Sequence, residues 1–316
     1  MSKISPEALQ NIVAGDSGEL DVHLNLVEKS IFIDDCKISV HCHCLTVDGN
    51  GRVSPKRLAE FLRNSIADYA IPKSRMQAAR DRDIKFKTSS ATAALHHEAI
   101  AAFTDLSNTG EGGEMLLYLL AERFLGLPQI LCKMDLKTDS RMHYHGADGV
   151  YASVTEEGLL KLFWGESKVY EDATTAIRDC FKSLAPFLAE EDHEGASRER
   201  DLILLSDKAD LNDPSLTGAF KKFFDKTSPL SKRVEYCGVA LVGFDAGFYP
   251  GEDQKGTTED IVAAAKATMS KLLNNISTRL VAEKLQHFDI QLFCVPVPSA
   301  DGFRTAFLQA LGLKDE

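Results

Sequence analysis

Residues 159–170 read Leu-Leu-Lys-Leu-Phe-Trp-Gly-Glu-Ser-Lys-Val-Tyr, an apolar run that ends in the triplet Glu166-Ser167-Lys168. The apolar run from Leu159 to Trp164 makes this a strand, and strand geometry then fixes the triplet. Residues i and i+2 project from the same face about 6–7 Å apart along the chain, so Glu166 and Lys168 stand side by side. The preceding Thr155-Glu156-Glu157-Gly158 reads as a hairpin turn that folds this strand back on Val150 to Val154. If Thr155 and Gly158 face each other, Asp148 falls opposite Gly165, one residue from Glu166. A bulge would bring the two acids directly across from one another.

That juxtaposition has chemical content. Hydrolysing a phosphodiester needs a hard cation to neutralise developing charge, carboxylates to hold it, and a group beside the attacking water. Two opposed carboxylates about 5 Å apart repel unless a cation lies between them. Acidic-x-Lys also occurs at Asp35–Lys37, Asp83–Lys85, Asp135–Lys137 and Asp253–Lys255. Only Glu166 ends a strand whose neighbour carries an acid. Asp135–Lys137 is the runner-up, with Lys137 at most lining a cleft. His143 and His145 sit upstream of Asp148 as loop residues or phosphate contacts.

Outward from the hairpin, residues 110–188 give a helix over Glu114–Leu127 and strands over Gln129–Leu136, Asp148–Val154 and Leu159–Tyr170. A helix running to Leu188 completes the order α-β-β-β-α. Glu114 follows Gly112-Gly113 in the first helical turn and shares a face with Tyr118, Ala121 and Leu125. A carboxylate there is either a dipole-stabilised end residue or a member of the site. Glu190–Arg200 is charged and reads as a surface excursion. Beyond it come a strand over Val234–Phe244, a Gly/Pro loop, and a long helix from near Thr257. That helix has a stripe of Ile261, Ala265, Met269, Leu272, Ile276 and Leu280, and a strand over Ile290–Val297 and a helix from Ala300 follow it. These elements should extend the central sheet or pack beside it.

The first hundred residues supply strand-like runs at Lys29–Ile33 and Lys37–Val47 and a helix over Ser54–Tyr69, opened by a Ser54 cap and Pro55. They show no legible chemistry. Arg75, Arg80, Arg82, Lys85 and Lys87 form the most basic stretch, followed by a Ser/Ala/Thr-rich segment; it reads as a solvated face or linker, or as a phosphate-contacting strip. His41-Cys42-His43-Cys44 alternates across a strand, so its Cys and His cannot all converge on zinc.

Composition bounds the rest. The 316 residues, 44% hydrophobic, are enough for a large core, and seven cysteines scattered in apolar runs read as buried thiols of a cytoplasmic protein. No run approaches the roughly 18 apolar residues of a membrane span. With 36 Lys and Arg against 47 Asp and Glu, the net charge is −11. A nucleic acid would be repelled on average, so contact with one requires a local cationic patch, a metal or a partner that delivers it.

The order Glu114, then Gly146-Ala147-Asp148-Gly149-Val150-Tyr151, then Trp164-Gly165-Glu166-Ser167-Lys168-Val169-Tyr170, resembles the PD-(D/E)xK nuclease core, without a proline before Asp148. The wider chain is similar to the HamA family, effector subunits of the bacterial Hachiman anti-phage system. The resemblance implies an α/β fold with an αβββα restriction-endonuclease-like core. Its central mixed sheet is flanked by helices and preceded by an N-terminal α+β extension. Residues 1–105 would then form a region of unassigned role, with partner binding one reading, and 106–316 the nuclease domain with a C-terminal elaboration. It further implies a Mg²⁺- or Mn²⁺-dependent deoxyribonuclease. In it Asp148, Glu166 and the Ser167 carbonyl ligate metal, Lys168 orients water, and Glu114 assists. The implied partners are DNA and a HamB-like superfamily 2 helicase. A catalytically silent, helicase-binding scaffold is the alternative.

Overall fold

The computed structural model describes residues 4–103, 110–131, 134, 146–189, 197–251 and 253–313. In chain order the N-terminal elements are α1 (Pro6–Gln10), α2 (Ser17–Asp21), β1 (Leu24–Phe32), β2 (Ile38–Leu45), α3 (Pro55–Asn64), α4 (Ile66–Ala70), α5 (Lys73–Phe86) and α6 (Ser90–Ala101). Then follow α7 (Glu111–Leu119), β3 (Gln129–Leu131), β4 (Gly149–Val154), β5 (Leu160–Tyr170) and α8 (Ala173–Leu188). The chain continues through α9 (Ser197–Lys208), α10 (Pro214–Lys221), β6 (Val234–Asp245), α11 (Thr258–Ala282), β7 (Ile290–Val297) and α12 (Ala300–Ala310).

All seven strands join one mixed sheet in the order β1-β2-β7-β6-β5-β4-β3. The pairs β2–β7, β7–β6 and β6–β5 are parallel, while β1–β2, β5–β4 and β4–β3 are antiparallel. This is the α/β architecture with a mixed central sheet expected from the sequence. The near-continuous apolar runs of β6 and β7 fit their place at the centre, where helices cover both faces. The C-terminal strands therefore extend the sheet. The strands of residues 24–45 join it too, so the first hundred residues share its ladder and its core.

Most elements form where their local chemistry calls for them. Ser54 accepts from the Arg57 N–H and Pro55 occupies the first turn of α3. Thr257 caps α11, whose whole Ile261-to-Leu280 stripe is buried. Three expectations about helices need correction. The helix over 54–69 breaks at Ser65 into α3 and α4, and Arg123 Nη2 holds the Ser65 hydroxyl at 3.1 Å. Residues 73–101 are two helices rather than a linker, although α5 does carry a solvated basic face. The helix expected from Glu114 begins at Glu111 and passes into a π-turn over Leu120–Phe124.

That π-turn has a reason. Glu122, 1% exposed, takes hydrogen bonds from Lys73 Nζ at 2.8 Å, from the Ala14 N–H at 2.8 Å and from the Gln129 N–H at 2.7 Å. One buried carboxylate thus ties the N-terminal segment, α5 and β3 to the end of α7, and the wider turn orients it.

His41 and His43 lie buried on β2, as the strand reading required. His41 bonds Gln291 at 3.0 Å, and both imidazoles pack against Phe124 and Phe293. Desolvation, with a smaller contribution from His41, pushes His43 down to about 3, so it is neutral in the folded protein.

Candidate active site

The hairpin that carries the triplet has a loop one residue longer than the sequence suggested. Thr155 donates its N–H to the Leu159 carbonyl, Gly158 turns in the left-handed conformation, and the loop has three residues. The ladder consequently sets Gly149 opposite Gly165, one step from the expected register of Asp148 opposite Gly165. Asp148, just outside the ladder, still donates its own N–H to the Gly165 carbonyl at 2.8 Å. Two residues thus crowd one at the point where pairing ends, the local signature of a bulge.

β5 runs on past that point. It stays paired with β6 through Tyr170 while its other edge has lost β4. Backbone groups alternate sides along a strand, and Gly165 points its carbonyl toward β4, so Ser167 and Val169 turn their N–H and C=O to the open edge. Two contacts bear this out. The Ser167 N–H donates to Asp148 Oδ2 at 2.8 Å, and the Val169 carbonyl accepts from Arg304 Nη2 at 3.2 Å. The Ser167 hydroxyl adds a second bond to the same Asp148 oxygen, at 2.9 Å.

Glu166 and Lys168 project from one face, as their spacing dictates, and their side chains form an ion pair. Glu166 is 5% exposed, while Lys168 is half-buried. Burial alone would push the Lys168 ammonium down. The Glu166 and Asp148 carboxylates outweigh it and hold the lysine above its ordinary value. Ser167 and Val169 project to the other face, toward α7. A Cβ on Gly113 would lie 2.9 Å from Val169 Cγ2 and 3.3 Å from Ser167 Oγ, so the missing side chain lets the helix approach the strand.

That approach delivers Glu114. Its Oε2 accepts from the Tyr69 hydroxyl at 3.1 Å, and it shares a cavity of about 210 Å³ with Gly110, Asp148, Ser167, Lys168 and Arg304. Tyr69 is buried. Desolvation, then the Glu114, Tyr151 and Asp148 groups, raise its pKa well above the ordinary range and keep it a donor. Of the four residues named from sequence, Glu114, Asp148 and Lys168 line this cavity at the open edge of β5, while Glu166 is outside its lining and is tied to it through the ion pair with Lys168.

Three contributors had no sequence signal strong enough to find them. Tyr69 comes from the stretch that showed no legible chemistry. Arg304 lies on α12, more than a hundred residues from the triplet. Asp201, 2% exposed on α9, accepts from the Ala147 N–H at 3.4 Å, directly before Asp148. His143, His145, Asp135 and Lys137 lie outside the described residues.

The HamA family model matches residues 21–311, nearly the whole length of the chain. The chain belongs to the HamA family. HamA is the Hachiman defence protein, so the αβββα sheet edge just described belongs to an anti-phage defence protein. No curated relative matches the chain. No helix among the described residues is long and apolar enough to cross a membrane.

Proposed function

We propose that this HamA-family chain is a metal-dependent deoxyribonuclease of the PD-(D/E)xK type, the effector of a defence system in which a HamB-like superfamily 2 helicase is its partner. The observation that carries the reading is that Asp148, Lys168 and Glu114 line one cavity at a strand edge that has lost its neighbour, with Glu166 ion-paired to Lys168 beside it. A sheet edge inside a covered α/β core is otherwise a liability, and here it supplies backbone groups to a cavity.

The donor set suits a hard cation. Asp148, Glu166 and the outward Ser167 carbonyl are all oxygen ligands, and no three His, Cys, Asp or Glu side chains among the described residues, these acids included, come together as a metal-holding group, so side chains alone would not complete a site. Mg²⁺ or Mn²⁺ would be held there by few protein ligands, with water and phosphate oxygens completing the shell. When bound, the cation supplies Lewis-acid stabilisation of charge on the phosphate.

The chain's own residues do the remainder. Ser167 fixes Asp148 through two bonds to one carboxylate oxygen, which orients the acid before any ligand arrives. Lys168, held protonated by two carboxylates, positions water and the scissile phosphate by charge and donation rather than as a base. Glu114, steadied by Tyr69, accepts a hydrogen bond from water on the helix side of the cavity. The net charge of −11 weakens DNA capture by the isolated chain, and the helicase would deliver the substrate.

The test is cleavage of supercoiled and linear DNA by the purified chain with and without the helicase, in Mg²⁺ and in EDTA. Metal-dependent cleavage supports the reading. A complex that forms but cuts under no condition would favour the catalytically silent scaffold.

A further inference from the structure

The turn between α5 and α6 carries a cluster that the candidate site does not use. Arg82, Ile84, Lys85, Phe86 and Lys87 are all exposed, Ile84 at 78% and Phe86 at 64%. Only Asp83 turns inward. Its carboxylate accepts from the N–H groups of Ala91 at 3.0 Å and Thr92 at 2.8 Å, which locks the first turn of α6. Lys87 ends α5 in the left-handed conformation at φ 52°, and the Thr88 N–H closes on the Asp83 carbonyl at 3.0 Å. The tip is therefore a built turn that presents its side chains on a fixed frame.

The charges on it are only partly compensated, since Arg82 acts on the neighbouring Asp83 carboxylate and Asp81 is exposed beside it. Arg75 and Arg80, on the same helix, are paired with Glu98 and Asp68. Arg82, Lys85 and Lys87 make no ion pair among the described residues, and the Lys85 ammonium lies 5.4 Å from the Phe86 ring centroid. Three exposed cations without an ion pair among the described residues, on the same turn as an exposed aromatic ring and on a chain of net charge −11, do not arise from packing.

We infer that this tip is a single-stranded nucleic-acid contact, in which Arg82, Lys85 and Lys87 take phosphates and the Phe86 ring stacks on a base. Bases in a duplex hide their faces, so the ring selects unpaired strands. The inference rests on the reading of the chain as a nuclease and adds to it a place where substrate is held away from the β5 edge.

The test is fluorescence anisotropy of labelled dT20 and of a 20-base-pair duplex with the full chain in EDTA, at 50 and 200 mM salt. EDTA keeps the assay independent of catalysis, so failure of the cleavage reading leaves this result legible. The expected result is tighter binding of dT20 than of duplex. Arg82→Gln/Lys85→Gln/Lys87→Gln should weaken dT20 binding by at least about tenfold and flatten the salt slope by about 2. Phe86→Ala should weaken it by about tenfold with the slope unchanged. Both variants alter only exposed side chains, and unchanged thermal melts would confirm their fold. No measurable dT20 binding by wild type at 50 mM salt, or wild-type affinity in both variants, overturns the proposal. So does loss of binding to phosphatidylserine vesicles with dT20 affinity intact, which would make the tip a membrane contact.

Discussion

Asp148 and Ser167 are joined twice, through the Ser167 backbone N–H at 2.8 Å and its hydroxyl at 2.9 Å, both to the same carboxylate oxygen. The pair closes the open edge of β5 where β4 stops, and it sets the direction of the acid on which the proposed site depends. Ser167→Ala removes only the hydroxyl bond. It should lower DNA cleavage and metal affinity by about tenfold with little loss of stability, because the main-chain bond survives. Asp148→Ala should lower cleavage by about a thousandfold or more. Parallel cleavage rates and thermal melts of the two variants check this ordering.

Gly113 tests whether the approach of α7 to β5 shapes the site. A Cβ there meets Val169 Cγ2 at 2.9 Å, so one side chain or the helix must move. Gly113→Ala should destabilise the fold by about 1–3 kcal/mol, read from urea midpoints, and reduce activity by displacing Glu114. Wild-type stability in this variant would show that the helix shifts freely.

The Lys73–Glu122 pair predicts an asymmetry. Lys73→Met leaves a carboxylate 1% exposed without its cation, at a cost of about 3–5 kcal/mol. Lys73→Met/Glu122→Gln removes both charges but keeps an acceptor for only one of the Ala14 and Gln129 amides, which Glu122 takes on different oxygens, so it should recover only part of that loss. Urea denaturation of wild type and both variants measures it.

His43 gives the acid limb of stability. Its folded-state pKa is lowered to about 3 against an ordinary 6.5, so its contribution is present above pH 6.5 and lost as pH falls toward 3. Stability should drop by roughly 1.4 kcal/mol per pH unit from this group alone over that window. His43→Leu should flatten the profile of melting temperature between pH 6 and 4. An unchanged slope would mean another group controls the acid limb.

The sheet was largely legible because its strands are apolar, β-branched and bounded by turn residues. Each of β4, β5, β6 and β7 begins and ends within a residue or two of its expected place. Strand parity likewise put Glu166 beside Lys168. What the sequence hid was three-dimensional in origin. A two-residue turn and a three-residue turn look alike in Thr155-Glu156-Glu157-Gly158, and only the observed Gly158 conformation decides the register. The end of β4 pairing, which leaves the main chain of Ser167 off the β4 ladder, depends on where two strands diverge. Tyr69, Arg304 and Asp201 reach the site from separate helices whose residue patterns record packing, with nothing to mark a polar tip.

The most direct measurement is cleavage of plasmid DNA in Mg²⁺ by wild type and by Glu166→Ala/Lys168→Ala, each shown folded by thermal melt and each assayed with the helicase present. Cleavage by wild type that is abolished by EDTA and by the double substitution is the result the β5-edge site predicts. Undiminished cleavage by the double variant would contradict it.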